Sequence, residues 1–526
     1  MNASRPTTLA THGMIATPHY LATSAGLQVL EDGGSAMDAV ICANAMLTVL
    51  YPDQTALGGD CFFMAFDAAT GETNGFNGSG PAPMAADPDA LVAQGYSAMP
   101  NKGPLAVTVP GTIDAWFAGH ARFGRLEMAR LLEPARVLAR DGFPVSPRLA
   151  TVFQRQSELI GQWPGLRSIV YPGGSAPAQG SVLRMPALAR SIEQIATNGR
   201  DAFYAGPIAE AISSTMAELG GWLNAGDMAE YTGEWVQPIS ANYRGVTVKT
   251  MPPNAQGIAA LMGLRMVERE DPGGEWGSPG HVHPLVEAKK RAYRVRDAQV
   301  SDPRFVDIDT SALLSDSSID ALWADYNPDQ AAIGQSTNPG DTVYLCAVDA
   351  DGNAVSLIQS LFGAFGSCVV AGDTGILLQN RGSYFSLNPD RANVLAPGKR
   401  TMHTLMPSML FDGDVLRGPI GTQGGDAQAQ IQMQLITNLV DFGMEPQAAI
   451  EAPRWIAGSE ADGRLLMEGG FPEGTVQKMA ARGHQVTLIE PWNPDAGHAQ
   501  MIMIDHANGV LMGGADPRAD GAAAGY

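Results

Sequence analysis

The apolar residues of LATSAGLQVLEDGG recur at helical spacing and stop at a glycine pair, which predicts a helix. MDAVICANAMLTVL continues as a second, more buried helix. LGGDCFFMAFDAATGE reads differently, as a tight glycine turn, an apolar strand and another turn at Thr70-Gly71. LEMARLLEPARVLARDG is an amphipathic helix ending at Gly142, and ALARSIEQIATNG and PIAEAISSTMAELGG are two more. VTVKTMPP is a short strand. HPLVEAKKRAYRVRDAQVSD predicts a helix with a charged face, opening at Pro284, since proline suits a first helical turn. From about residue 300 to 340 the chain is polar and irregular, as expected of a linker or processing segment.

Beyond Thr342 the pattern changes. TVYLCAVD, the turn at Asp351-Gly352 and AVSLIQSLF read as strand, hairpin turn and strand. GILLQN, LMPSMLF, QVTLIE and QMIMID predict further strands. GGDAQAQIQMQLITNLVDFG predicts a helix preceded by two glycines. The sum is an α+β fold, with a mostly helical N-terminal half and a strand-rich C-terminal half sharing a sheet. No internal repeat or low-complexity block stands out.

Composition narrows the function. The 526 residues are 45 % hydrophobic and 17 % charged, a globular balance. A net charge of −21 and a pI near 4.7 argue against nucleic acid or an anionic membrane as partner. The cysteines, Cys42, Cys61, Cys346 and Cys368, form no C-x-x-C pair and no disulfide framework; they are expected to be buried thiols. No signal-peptide core and no membrane-span-length apolar window is visible, so the expected location is the cytoplasm.

Several common signatures are missing, among them the phosphate-cradling G-x-x-x-x-G-K-[ST], the dinucleotide G-x-G-x-x-G and the G-x-S-x-G elbow. His281 and His283 lack a third ligand at useful spacing, so no metal is expected. GDTVYLCAVD offers a different chemistry. Gly340 and Asp341 give a flexible approach to Thr342, and a hydroxyl needs a base to become nucleophilic. An N-terminal threonine carries one, because its freed α-amine lies within reach of its own Oγ1. Cleavage between Asp341 and Thr342 is then the activating step. Taken alone, the window reads as an ordinary strand start. Ser360, at the end of the returning strand, is placed to come back beside Thr342. Gly424 and Gly425, before a helix, present N–H groups suited to an oxyanion.

Together these residues resemble the γ-glutamyltransferase family of N-terminal-nucleophile hydrolases, over nearly the whole chain. ATPHYLATSAGLQVLEDGGSAMDAV is similar to the family's opening helices and ALGGDCFF to its glycine-rich turn. VTVPGTIDAW and DGFPVSPRLA are similar to its mid-chain signatures. VDADGNAVSLIQSLFGAFGS and TGILLQN resemble the region after the processing threonine, and GADPRADGAAAGY the C-terminal tail. The resemblance implies a four-layer αββα sandwich made as one proenzyme. It implies a large subunit of residues 1–341 and a small catalytic subunit of residues 342–526 sharing one core. It places Thr342 on the nucleophile, Ser360 on its partner hydroxyl (usually threonine), and Gly424 and Gly425 on the oxyanion glycines. Val343 replaces a frequent second threonine. No cofactor is implied.

The departures bear on substrate. Ser79 stands where glutathione-cleaving members carry a carboxylate-clamping arginine. Tyr384 replaces an aspartate that holds the α-amino group, and His403-Thr404 replaces a Ser-Ser pair. Losing such charge-assisted contacts, worth roughly 1.5–3 kcal/mol each, weakens recognition of a γ-glutamyl zwitterion. Arg381, in the loop of Tyr384, is the expected replacement, holding with His403 the acid end of a smaller substrate. NGSG, DTVY, IQSLF and QNRG resemble the oxamate-amidohydrolase-like branch, implying a small acid amide with water as acceptor. The alternatives are a γ-glutamyl transpeptidase or glutathione hydrolase, a cephalosporin (glutaryl) acylase, and an uncleaved, non-catalytic binding protein. The partners implied are the amide and the two subunits of one precursor, single or further oligomerised.

Overall fold

Two seven-stranded sheets face each other at the centre of this computed structural model, which describes residues 5–271, 274–332, 340–458 and 464–526. One sheet runs, in spatial order, Ala522–Gly525, Met14–Thr17, Asp341–Val348, Ala354–Phe362, Asp60–Phe66, Thr73–Gly78 and Glu234–Val236. The other runs Thr8–Ala10, Val510–Ala515, Ala499–Asp505, Val415–Thr422, Ser408–Asp412, Val246–Thr250 and Ile239–Tyr243. Every pairing within the two sheets is antiparallel.

Three apolar cores define the layers. The one between the sheets takes Met14, Phe62 and Tyr344 from the first sheet and Met409, Phe411 and Ile502 from the second. Helices Tyr20–Glu31 and Ala36–Leu50 pack on the outer face of the first sheet. Helices Gly257–Val267, Pro279–Gln299 and Gln428–Val440 form the layer outside the second. The arrangement is the four-layer αββα sandwich.

The strand Asp60–Phe66 shows why the alternation of a half-exposed strand is absent from this sequence. It is covered on both faces, so it reads DCFFMAF, apolar after the first residue. The helix Ala36–Leu50 is likewise buried along its whole length, and its start is fixed by a capping box between Ser35 and Asp38.

Some expectations are corrected. The charged helix opens at Pro279 behind the N-cap Ser278, so Pro284 lies inside the helix. Pro284 is the sixth helical residue, past the four N–H groups that need no intrahelical partner, so the helix forgoes one hydrogen bond there, to the carbonyl of Gly280. GILLQN is not a strand: Leu377 and Leu378 make only isolated bridges, to Val370 and Gly58. In the irregular region the structure has short helices at Thr310–Leu313 and Asp316–Trp323; residues 333–339 of the expected processing segment lie outside the described residues. The N-terminal half is less purely helical than its sequence suggests, since it supplies strands to both sheets. The four cysteines are free and buried. Among the described residues no helix is long and apolar enough to cross a membrane.

Candidate active site

The hairpin Asp341–Val348 with Ala354–Phe362 brings Ser360 back to Thr342, and its register breaks between Asp341 and Val343. Such a bulge re-aims a side chain from the regular alternation, and here it falls on Thr342. Thr342 Oγ1 donates to Ser360 Oγ at 3.1 Å, and Ser360 Oγ donates to the carbonyl oxygen of Asp341 at 2.6 Å. The N–H of Phe362 donates to Ser360 Oγ at 2.7 Å and fixes its position. Phe362 holds φ at 76°, an uncommon conformation for a bulky residue and one that clusters at functional sites. The peptide Asp341–Thr342 therefore has a hydroxyl beside its carbonyl and a second hydroxyl donating to its oxygen. Thr342 is only 1 % exposed.

Gly424 and Gly425 sit at the end of the strand Val415–Thr422, ahead of the helix Gln428–Val440, with φ of 140° and 53°. Both values favour glycine. A Cβ on Gly425 would lie 2.5 Å from the backbone nitrogen of Gly340, so Gly340 rests against this turn. Gly340 also meets Phe362. Gly340–Asp341 thus fills the space between Thr342, Phe362 and the glycine turn.

Beside Asp341 opens a cavity of about 740 Å³, with Gly424, Gln54, Lys102, Arg148 and His498 in its wall. Arg148 pairs with Asp53 at 2.5 Å. With its amide oriented to satisfy both neighbours, Gln54 donates to the carbonyl of Thr342 at 3.0 Å and accepts from Arg148 at 2.5 Å. Burial pushes the Asp341 carboxyl up to about 7; Asp53 adds to this, while Arg148 and Lys102 oppose it. Burial holds His498 down at about 3, so its ring is neutral, and neither ring nitrogen has a partner among the described residues.

The residues expected to read the substrate are gathered in a buried polar cluster behind the glycine turn. His403 accepts from the N–H of Leu405 on Nδ1 at 3.2 Å, which leaves the proton on Nε2, donated to Asp60 at 2.9 Å. Both nitrogens are thereby committed to a neutral ring, and burial and Arg381 hold its pKa well below the ordinary value. Burial pushes Asp60 up to about 7, against the pull of Arg381. Arg381 is 1 % exposed; it donates to Thr404 Oγ1 at 3.2 Å, lies over the Phe362 ring and stands 4.0 Å from Asp60. Its Nε and Nη2 have no hydrogen-bond partner among the described residues, and burial lowers its pKa to about 10. Tyr384 donates to Asp426 at 2.5 Å, and Asp426 pairs with Arg296 at 3.0 Å. Ser79 donates to Asn77 at 2.7 Å. Gln256 ties the cluster to the turn, donating to the carbonyls of Thr404 at 2.8 Å and Gly425 at 3.0 Å.

His283 does gather a possible ligand set, with Glu287 and His484. Glu287 is taken by Lys290 at 2.7 Å and Arg291 at 2.8 Å, and the two histidine rings bond each other at 2.8 Å. Those donors fit an internal network better than a cation. His281 is turned elsewhere, accepting from the N–H of Gly277.

Sequence reasoning missed Asp53, Gln54, Asp60, Lys102, Arg148 and His498. Asp60 carried a signal, an acid after Gly58-Gly59 at the head of an apolar strand. The others are single polar residues joined only by the fold.

The gamma-glutamyltranspeptidase family model matches residues 22–526. The chain is 43 % identical to a glutathione hydrolase-like YwrD proenzyme of Bacillus subtilis, covering 98 % of this chain and 99 % of that protein. It is 38 % identical to an oxamate amidohydrolase proenzyme of Klebsiella pneumoniae, with 98 % and 99 % covered. Among solved structures, a cephalosporin acylase from Bacillus halodurans superposes with a TM-score of 0.95 at 37 % identity, covering 100 % of this chain and 98 % of that one.

Proposed function

The chain belongs to the gamma-glutamyltranspeptidase family of hydrolase proenzymes, and on that premise we propose that it cuts itself ahead of Thr342 and then hydrolyses a small acid amide. The observation that carries this reading is the hydroxyl chain from Thr342 through Ser360 to the Asp341 carbonyl. In self-cleavage Thr342 Oγ1 attacks the carbonyl carbon of Asp341, and Ser360 stabilises the charge that forms on its oxygen. The C–N bond breaks, and the proton from Oγ1 ends on the departing amine of Thr342. Water then hydrolyses the ester, leaving Asp341 with a carboxylate and Thr342 with a free amine.

In turnover that amine takes the Oγ1 proton, and Oγ1 attacks the substrate carbonyl. The N–H groups of Gly424 and Gly425 receive the oxyanion. The amide C–N bond breaks, ammonia leaves with the proton, and water releases the acid from Thr342. Residues 1–341 and 342–526 are the two subunits. An acid substrate suits a site with Lys102 and Arg148 in the cavity wall and Arg381 behind it.

The test is a denaturing gel and intact mass of the purified protein, followed by a substrate panel. Two fragments split at Asp341–Thr342 and ammonia release from oxamate or a longer half-amide are expected. Turnover of glutathione with a dipeptide acceptor, or of glutaryl amides alone, would replace this reading by a transpeptidase or an acylase. A single uncut, inactive band would remove it.

A further inference from the structure

Between the helix Ala36–Leu50 and the strand Asp60–Phe66 the chain runs through YPDQTAL, a connection buried at every residue. Buried polar groups need hydrogen-bond partners, and this connection finds several of its own on the chain around Ser360. The N–H of Leu361, next to Ser360, donates to the main-chain oxygen of Gln54 at 2.9 Å, and the N–H of Phe365 donates to that of Asp53 at 2.8 Å. The side chain of Gln359, on the other side of Ser360, donates to the carbonyl of Ala56 at 2.6 Å. One further contact falls on Thr342 itself, whose carbonyl oxygen accepts from the side-chain amide of Gln54 at 3.0 Å.

The sense of that amide is imposed by Arg148, which has donors only. Arg148 holds the Asp53 carboxylate at 2.5 Å and donates to Gln54 Oε1 at 2.5 Å, which turns Nε2 toward Thr342. The guanidinium is itself seated over the Tyr51 ring, 4.1 Å from its centroid. Asp53 and Gln54 are 1 % and 2 % exposed, so bulk water does not share these bonds. Two atoms of Thr342 are therefore held by other side chains, Oγ1 by Ser360 at 3.1 Å and the carbonyl oxygen by Gln54. Its nitrogen is held by the peptide bond to Asp341. Cleavage as proposed above would remove that third tether and leave an amine whose direction from Cα follows from the other two.

We infer that Gln54 is a positioning residue for the nucleophile: by holding the Thr342 carbonyl it aims the freed amine at Oγ1, with Arg148 and Asp53 keeping its donor turned that way. This rests on the self-cleaving amidohydrolase reading above, and adds the contact that keeps Thr342 in place once its N-terminal neighbour is gone. Gln54 also lines the cavity, so the competing role is a direct contact to the substrate. Kinetics separates the two. A residue acting through Thr342 changes kcat by one factor for every amide, whereas a residue touching substrate changes KM and differs between amides. Charge separates a donor from a filler of space. Gln54→Glu keeps the size and the acceptor for Arg148, but its ionised carboxylate turns a second acceptor on the Thr342 carbonyl, and only its protonated form donates there.

The experiment follows processing by gel and intact mass. It then measures ammonia release from oxamate, succinamate and glutaramate, and glutamate release from glutathione, from about pH 5 to about pH 9, a range that spans the ordinary α-amine value near 8. Gln54→Met is expected to process to two fragments and to lose kcat roughly a hundredfold, the usual result of displacing a reacting group by about an ångström. KM is expected to stay within about twofold, and the factor to be the same on each amide turned over. Gln54→Glu is expected to show a similar loss near pH 8 and a ratio to wild type that rises as pH falls, because protonation restores the donor. Gln54→Glu at the wild-type rate near pH 8, or a ratio flat with pH, would overturn the inference. So would a loss carried by KM or confined to one amide, which would make Gln54 a substrate contact. A Gln54→Met chain that stays uncut would place the residue in folding or in self-cleavage and would overturn it too. Turnover indifferent to Gln54 sinks only this inference. Turnover of glutathione alone replaces the acid-amide reading and leaves the Gln54 comparison to decide, whereas a processed wild-type protein that turns over none of the four sinks both.

Discussion

Ser360 accepts from Thr342 Oγ1 and donates to the Asp341 carbonyl, so in the proposed self-cleavage one hydroxyl serves both partners. Removing it in Ser360→Ala takes away a donor to the developing oxyanion, a loss that typically slows acyl transfer by roughly 10²–10³-fold. The expected result is a slowly maturing precursor, followed by band densitometry over time, with Ser360→Thr close to wild type and Thr342→Ala permanently uncut. The buried acid and imidazole behind the turn make a second, separable prediction. Asp60 is pushed from 3.8 up to about 7, so between these values the folded protein binds the extra proton. Its contribution is present in full below about pH 4 and is lost as pH rises to about 7. His403 is held below its ordinary 6.5, so its contribution is present above that pH and is lost as pH falls. Asp60→Asn preserves an acceptor for His403 and removes the first slope. Its melting temperature is therefore expected to fall less than wild type's between pH 4 and 7.

The glycine turn is where an element, more than any one side chain, decides whether the site forms. A methyl group on Gly425 meets the backbone of Gly340, and the residue's φ of 53° disfavours any other side chain. Gly425→Ala is expected to displace Gly340–Asp341 and leave a folded but uncut chain, seen as one band with a cooperative melt. How much of this was legible follows from whether a pattern is local. The hairpin was, since two strand-forming runs flank Asp351-Gly352, and its length alone brings Ser360 to Thr342. The helix behind Gly424-Gly425 was too. GILLQN was not: its apolar run matches a strand, but Leu377 and Leu378 pack as a covered loop with only isolated bridges. The onset of the charged helix was misplaced because Ser278 and Pro279 give a stronger start signal than Pro284. Lys102, Arg148 and Gln54 had no local pattern, and only their tertiary convergence on one cavity distinguishes them from surface polar residues.

At the scale of the whole molecule, the proposed split at Asp341–Thr342, into a large subunit ahead of it and a small one after it, would not divide the fold into two bodies. In the sheet that carries the nucleophile, Asp341–Val348 lies between Met14–Thr17 of the large subunit and its own hairpin partner, which in turn pairs with Asp60–Phe66 of the large subunit. In the facing sheet the order runs from large-subunit Thr8–Ala10 through four small-subunit strands and back to large-subunit Val246–Thr250. The core between the sheets draws Phe62 and Met251 from one subunit and Tyr344 and Met409 from the other. Separating the fragments would therefore break ladders in both sheets and expose a shared core, a cost comparable to unfolding either piece. The processed protein is expected to elute from a sizing column as one species containing both fragments, at the volume of the uncut Thr342→Ala chain. It is expected to release them only through the denaturant transition that also abolishes its secondary structure. Dissociation of folded fragments below that transition would show that the subunits hold separate cores and that the nucleophile's strand is not anchored from both sides.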